Sequence, residues 1–597
     1  VAVITLGINA AFHDTAAALV VDGVTLAAAE EERFTRIKHG KRPVPFSAWE
    51  LPYHAIDYCL AQAGLTLADV DHVAYSFDPK EFIVGRINPA ASKITLPLEP
   101  SAEDSGVWES PWDPLFATYV VNAPRQLRDG APHHLSRRLT AVKHDARYRW
   151  HFVPHHTCHQ ASAFLAAPFE RCAVMTLDGR GEQATTSYGV YRDDRYRPLG
   201  EVRMPHSLGM LYERVTSHLG FLHSSDEYKV MALAALGTPR WRDALAERVH
   251  VGAEGRYTVD DMDLGALFGP PRVPGSALEP HHLDLAASLQ EVLEETVLKL
   301  AAWLREASGE RHLAMAGGVA LNCVMNARLR DSNVFDAVWV QPAAGDAGTA
   351  LGAALWVDAR ERLAQAAVAD AAQAAAFASR RWRMDHAYLG PEFSDAQIEA
   401  LLKWAGLSYH RADEVAEEAA QLLERNQVIG WFQGRMEFGP RALGGRSILA
   451  SPIDPGMQAR LNELKDREDF RPVAPAVTEE AFARWFSPAE ANGGRSPFML
   501  FVYNVLPGQG ARIPSACHTD RTARVQTVSA QTNPRFHAVL QAFGRRTGVP
   551  VLINTSFNVR GEPIVCTPRA AIEAFYSTPL DALVIGSFIL TKRNADG

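Results

Sequence analysis

Three apolar runs open the chain, VAVITLGI, AAALVVDG and VTLAAAEEERF, with a break at Asp22-Gly23. Apolar blocks of strand length separated by an Asp-Gly turn predict two or three short hairpin strands, and the spacing from Tyr53 to Ala63 predicts a helix. The segment CAVMTLDGRGEQATTSYGVYRDDRYRPLG repeats the plan about 165 residues later. Two such hairpins suggest duplicated halves. Between them, residues 77–147 hold strand-like pieces such as EFIVGRI but also LPLEPSAEDSGVWESPWDP, rich in Pro, Ser and Trp. This stretch resembles an insertion, either a solvated surface excursion or a lid that meets substrate through Trp108 and Trp112.

Further on, LDLAASLQEVLEETVLKLAAWLREASG has apolar residues at helical spacing and ends at Gly309, so it predicts one long packed helix. HLAMAGGVALNCVMNARLRD then reads as strand, glycine turn and helix. The alanine-rich AQAAVADAAQAAAFASRR lacks a core pattern and marks a connection, with the domain boundary between Leu363 and His386. After it come a helix pattern, SDAQIEALLKWAG, and strands QVIGWFQG and VLINTSFNV. The expectation is an α/β chain with a duplicated domain over 1–375 and a second α/β domain over 386–597.

Composition narrows the function classes. A chain of 597 residues exceeds one core, and 47% hydrophobic with 22% charged residues is globular. The net charge of -9 carries no Lys/Arg block that would read as a nucleic-acid or membrane patch. No apolar stretch reaches the ~20 residues of a membrane span, and the N-terminus reads as a strand rather than a signal peptide. A cytoplasmic protein is expected. The six cysteines lack any CxxC pair, which argues for reduced thiols and against a Cys-ligated zinc.

Candidate chemistry begins at HHTCHQASA, where His155 and His159 stand four residues apart on one predicted helix face. Two helical histidines more often cap or hydrogen-bond than bind metal. Asp178 in LDGRGE and Asp346 in AAGDAGT add carboxylates at glycine turns after buried strands, where open α/β folds build sites, although Asp in such turns also bonds its own backbone. A His and Asp set suits iron, manganese or zinc. Gly317 and Gly318, followed by Asn322, offer bare backbone at a strand-to-helix turn, a weak nucleotide signal. In the second domain GRMEFGPRALGGRSILASP, LKDREDFRPVAPAV, HTDRTARVQTV and NTSFNVRGEPI set arginines among glycines and apolar residues. Arg441, Lys465, Arg471 and Arg524 are read as anion-binding, with Arg435, Arg446 and Arg467 as structural or surface groups.

Taken with FHDTAAALVVDG, EEERFTRIKHG, SLGMLYERVTSHLGF, YKVMALAALG and GDAGTALGAAL, these motifs occur in the order seen in the NodU/CmcH-type O-carbamoyltransferases. The chain resembles that family over nearly its whole length. The resemblance implies an N-terminal Kae1-like domain of the actin-related (ASKHA) ATPase type and a C-terminal YrdC-like domain. It implies that the second forms carbamoyl-adenylate from carbamoyl phosphate and ATP, and that the first passes the carbamoyl group to a hydroxyl of a natural product. It further implies an iron-type metal, Fe(2+), held by His155, His159, Asp178 and Asp346, with His156 as a neighbour, and Mg(2+) accompanying ATP. Lys38, Gly317, Gly318 and Asn322 match nucleotide contacts. Arg441, Lys465, Arg471, Arg524, Asn554 and Ser556 match the carbamoyl phosphate and ATP region, and Lys38 and His13 the transfer centre, with His13 as general base or phosphate contact.

Two departures from the family pattern stand out: YKVMALAALG has Ala232 and Leu236 where the family has glycine and an aromatic, and Arg521 replaces a glycine in CHTDRTARVQTV. The expected partners are a small-molecule acceptor, with a homodimer compatible, and neither nucleic acid nor membrane. The alternatives left open are a threonylcarbamoyl-type transferase acting on tRNA and an actin-related ATPase switch.

Overall fold

The structure, a computed structural model, describes residues 2–40, 51–84, 113–130, 147–367, 379–488, 491–559 and 561–592. Two compact units divide at 384/385, Val1–Met384 and Asp385–Gly597.

In the first unit, β1 (Ile4–Asn9), β2 (Ala16–Val21), β3 (Val24–Glu30), β4 (His72–Tyr75) and β5 (Arg149–Phe152) form a sheet in the order β3-β2-β1-β4-β5. A second sheet holds β6 (Cys172–Leu177), β7 (Ala184–Arg192) and β8 (Arg195–Arg203). A small hairpin of β9 (Val249–Val251) and β10 (Tyr257–Val259) stands apart, and β11 (His312–Ala316) and β12 (Ala337–Val340) complete the second sheet as β12-β11-β6-β7-β8. Counted from the antiparallel edge, both sheets have one order: three antiparallel strands, then two strands parallel to the first strand of the three. The chain folds the same plan twice.

The alternation of side chains along β1 decides what covers each face. Leu6 and Ile8 join a core with Ala55, Ile56, Cys59 and Leu60 of the helix Tyr53–Gln62. Gly7 points the other way, where a Cβ would come within 1.9 Å of the Ala350 carbonyl on the helix Ala347–Ala366. That helix also presses on the helix His155–Phe164, and a Cβ on Gly352 would meet the Cys158 carbonyl at 1.8 Å. Ala74, Val153, Cys158, Ala353 and Val357 form a core at this contact. The small residues of AGTALGAAL therefore permit backbone-to-backbone packing that larger ones would block. The helix that follows β5 lies on β6, β7 and β11, whereas the helix after β12 lies on β1, β2 and β4. Each sheet is covered by a helix from the other repeat.

The long helix spans Pro280–Ser308 and stops at Gly309, whose φ of 68° is the left-handed conformation of a helix C-cap. Residues 77–147 depart from expectation. EFIV is helical, within Pro79–Val84, because Asp78 precedes a proline and accepts the Lys80 N–H at 2.9 Å. A further helix, Asp113–Asp129, contributes Val120, Ala123 and Leu127 to the core of the first sheet beside Phe77 and Phe82. Part of this stretch is core structure, and Pro124 inside the helix hid its periodicity. Trp108 and Trp112, and most of the alanine-rich connection, lie outside the described residues.

The second unit is built on an eight-stranded mixed sheet with Ile429–Phe432, Arg446–Ala450, Val551–Ser556 and Ala474–Thr478 side by side in its middle. Arg446 is fully buried: its guanidinium lies 3.7 Å over the Phe432 ring and donates to the carbonyls of Gln433, Gly434 and Pro391. Arg435 donates to the Leu389 and Gly390 carbonyls, and Arg467 to Asn462. These three arginines are structural.

Replacing Gly352 with alanine forces the two crossing helices apart, and overpacking of this kind costs about 1–3 kcal/mol or more. Urea unfolding should register that loss; an unchanged midpoint would show that the close contact is not needed.

Candidate active site

Four segments converge on one point of the first unit. The β1–β2 turn brings His13, the β6–β7 turn brings Asp178, the helix after β5 brings His155 and His159, and the helix after β12 brings Asp346 at its N-cap. Because the sheets share one strand order, these are two pairs of equivalent positions: two hairpin turns and two helix starts.

One ligand atom from each of His155, His159, Asp178 and Asp346 lies within 4.8 Å of the others, and all four residues are buried. The Nε2 atoms of the two histidines are 3.1 Å apart. His155 Nε2 lies 3.5 Å from Asp178 Oδ2 and 3.5 Å from Asp346 Oδ1, and His159 Nε2 lies 3.6 and 3.7 Å from the same oxygens. His155 Nδ1 sits 3.3 Å from the Ser76 carbonyl, an acceptor only, so Nδ1 carries the proton and the Nε2 lone pair turns inward. Two buried carboxylates and two inward nitrogens concentrate negative charge and lone pairs, which calls for a cation among them. The donor set fits a divalent metal with mixed N and O preference.

The protonation pattern expresses the same demand. Burial alone would lower the His155 pKa, yet Asp346 and Asp178 raise it well above the ordinary histidine value. Burial works against ionisation of Asp178, but His155 and His159 hold it well below the usual carboxylate range. His156 is different: burial pushes it down to about 3, and its Nδ1 contacts Thr176 and Ser187 at 3.0 and 3.1 Å. It packs beside the cluster without joining it.

His13 is one-third exposed at the rim, with Nδ1 2.9 Å from Asp14 and Nε2 3.8 Å from Asp346 Oδ2, the oxygen turned away from the imidazole pair. Asp14 also reaches His39 Nδ1 at 2.8 Å through its other oxygen, and His39 follows Lys38 in a 3-10 turn. Lys38 is thus the sequence neighbour of the second histidine that Asp14 holds.

Gly317 has a φ of 95°, and a Cβ there would lie 2.2 Å from the Leu177 carbonyl, so this turn requires glycine. Its N–H donates to the Ala344 carbonyl at 2.8 Å, and the Gly318 N–H donates to Asp178 Oδ1 at 2.7 Å. Both N–H donors of the turn are therefore engaged within the chain. Asn322 accepts the Met325 N–H at 3.0 Å as a helix cap and exchanges hydrogen bonds with Gln290.

In the second unit Lys465 is buried, and its ammonium donates to the carbonyl and hydroxyl of Ser556 and, at 2.8 Å, to Asn558. Asn554 donates to the Ala442 carbonyl and to Gln526 at 3.2 and 2.7 Å. Those bonds draw the segments of Arg441, Arg524 and Ser556 to one strand, Val551–Ser556. Arg471 faces Glu468 at 3.6 Å. Arg521 has a φ of 63°, a conformation glycine adopts without strain, and its N–H donates to the His518 carbonyl.

Three carboxylates that sequence reading passed over hold these sites together. Glu182, inside LDGRGE, accepts the backbone N–H groups of Asp78 and His155 at 2.7 and 2.9 Å, and burial pushes its carboxyl up to about 7. Asp14 bridges two histidines. Glu437 accepts the N–H groups of Leu443 and Gly445 at 2.7 and 2.6 Å and so shapes the GPRALGGR loop. For Glu437, a glutamate seven residues before the glycine pair Gly444-Gly445 was the available signal.

The repeated sheet order with its crossing helices defines the first unit as an actin-like α/β domain. The chain matches the carbamoyltransferase N-terminus family over residues 4–355 and the carbamoyltransferase C-terminus family over residues 420–592. It belongs to the carbamoyltransferase family and is an O-carbamoyltransferase acting on a natural-product acceptor, not a nucleotide switch. Nodulation protein NolNO of Sinorhizobium fredii is 38% identical over 98% of this chain and 80% of its own length. An uncharacterized protein of Synechocystis sp. is likewise 38% identical, over 98% of this chain and 96% of its own. Among solved structures, HypF of T. kodakarensis is 14% identical with a TM-score of 0.31 over 59% of this chain and 47% of its own, a likeness on which nothing here rests. No helix among the described residues is long and apolar enough to cross a membrane.

Removing the Asn322 cap with alanine should cost about 1 kcal/mol, while aspartate, which still caps, should retain most of the stability. Thermal or urea denaturation of the two variants separates them, and equal losses would contradict the capping role.

Proposed function

We propose that residues 386–597 act as a YrdC-like domain that forms carbamoyl-adenylate from carbamoyl phosphate and ATP, and that residues 1–375 act as a Kae1-like domain that transfers the carbamoyl group. The observation that carries this reading is the buried His155, His159, Asp178 and Asp346 set with His13 beside it, in a chain of the carbamoyltransferase family.

An iron-type ion, Fe(2+), suits the four donors; when bound it would supply positive charge for the adenylate's phosphate. The remaining roles belong to the chain's own side chains. His13 accepts the acceptor's hydroxyl proton at Nε2 as the oxygen attacks the carbamoyl carbon, and Asp14 keeps the Nδ1 proton in place. The C–O bond to the phosphate breaks and AMP leaves. Lys38 neutralises charge on the departing phosphate, and the Gly317-Gly318 turn lets the nucleotide approach.

In the second domain Arg441, Lys465, Arg471 and Arg524 hold the phosphate groups of carbamoyl phosphate and of Mg(2+)-bound ATP. Asn554 and Ser556 position those cations: Ser556 fixes the Lys465 ammonium, and Asn554 fixes the strand between the segments of Arg441 and Arg524. Water splits carbamoyl phosphate to carbamate and orthophosphate, the carbamate oxygen attacks the α-phosphate of ATP and releases pyrophosphate, and AMP leaves only at the transfer step, whereas a switch ATPase yields ADP.

His13→Ala should slow transfer by about 10²–10⁴-fold while leaving adenylate formation intact. His159→Ala should lose both bound metal and transfer; a metal-free His159→Ala enzyme with full activity overturns the metal assignment. Arg441→Ala should stop carbamoyl-dependent pyrophosphate release yet still transfer from supplied carbamoyl-adenylate. Equal loss of both half-reactions would refute the division of labour.

A further inference from the structure

A second histidine and carboxylate cluster lies away from the site just described. His72 opens β4, His151 lies within β5, and Glu361 is on the helix Ala347–Ala366 that packs on β4. In the parallel register His72 pairs with Arg149 and Ala74 with His151, so the two histidines occupy diagonal positions on one face of adjacent strands. His72 Nδ1 is 3.0 Å from His151 Nε2, and His72 Nε2 is 3.9 Å from Glu361 Oε2. One nitrogen of each ring and one carboxylate oxygen lie within 4.8 Å of one another.

We propose that His72, His151 and Glu361 form a second metal site, for a divalent transition ion of the zinc class, at the end of the N-terminal unit opposite the His155 cluster. Both clusters use the same elements. β4 runs from His72 towards Ser76, which touches His155, and β5 runs from His151 into the helix that begins at His155. Glu361 follows Asp346 on a single helix, and 15 residues at ~1.5 Å each put them roughly 22 Å apart. An ion at this end would cross-link two strands to the helix that carries Asp346.

The chemistry matches. Two imidazoles and one carboxylate are three ligands of a tetrahedral zinc-type site, and the half-buried position leaves the fourth to water. Zinc–nitrogen bonds of ~2.0–2.1 Å need a nitrogen separation of about 3.3 Å, so the rings must part by only a few tenths of an ångström. Burial, then the neighbouring His72 and the arginines Arg149 and Arg360, push His151 down to about 4 against the pull of Glu361, which keeps its ring neutral and able to ligate. Those arginines oppose a cation. Arg149 is 3.4 Å from Glu361 Oε1, but its side chain is 69% exposed, so water screens it and it can swing aside. The competing account is a hydrogen bond between His151 and His72 with an ion pair from His72 to Glu361 and no metal.

The test uses Co(2+) as a coloured probe on the metal-stripped full chain, with equilibrium dialysis for stoichiometry and visible absorption for coordination. His151→Gln should bind one equivalent less than the wild type and keep carbamoyl transfer, whereas His159→Ala should lose the other equivalent and retain this one. Zn(2+) should raise the Tm of His159→Ala but not of the His151→Gln/His159→Ala double variant. Equal stoichiometry in wild type and His151→Gln, or a zinc-dependent Tm rise that survives in the double variant, overturns the proposal. Glu361→Gln carries the same expectations from the helix side, so a folding failure of His151→Gln leaves the question decidable. The metal count at this end does not depend on the function proposed for the other.

Discussion

The N-terminal unit depends on two backbones meeting without side chains between them. Gly352 against the Cys158 carbonyl, and Gly7 against the Ala350 carbonyl, hold the helix Ala347–Ala366 tight to its neighbour and to the first sheet. That contact fixes the start of one helix, with Asp346, relative to the face of the other, with His155 and His159. Ligand geometry at the buried cluster is therefore set by packing several residues away. Glycine and alanine are weak helix and core residues by themselves, and their density in AGTALGAAL makes sense only as the condition for this approach.

On that frame the polar groups are held by obligation rather than by chance. Three of the four groups aimed into the cluster have their other face engaged, His155 by the Ser76 carbonyl, Asp178 by the Gly318 N–H and Asp346 by the rim histidine His13, while the Nδ1 of His159 is buried without a hydrogen-bond partner among the described residues. Glu182 accepts the buried His155 N–H at the start of the histidine helix. A set of buried acids and imidazoles is tolerable only when such second contacts restrict which atoms point inward.

Much of this was legible in the chain. The hairpins at Asp22-Gly23 and after Leu177, the long helix ending at Gly309 and the strand before Gly317 followed from periodicity and turn residues, because those signals are local. Arg446 reads as a structural or surface group, and its burial over Phe432 places it in the core. The helix Asp113–Asp129 was missed because Pro124 and the polar run before it broke the pattern. Long-range pairing was invisible for a different reason. His72, His151 and Glu361 share no motif, and only the parallel register of β4 with β5 and the helix packed on β4 brings the three together. Glu437 and Asp14 likewise act through backbone and ring contacts that no spacing rule announces.

The reciprocal covering of the two sheets has a bearing on how the protein could ever be divided. Each repeat lends its terminal helix to the other's sheet, so a fragment cut between the repeats would bare an oily surface and strip its partner of a lid. Neither piece is a self-sufficient protein. The internal symmetry records two copies of one plan, yet the mutual loan of helices binds them into a single cooperative body that must assemble together or not at all.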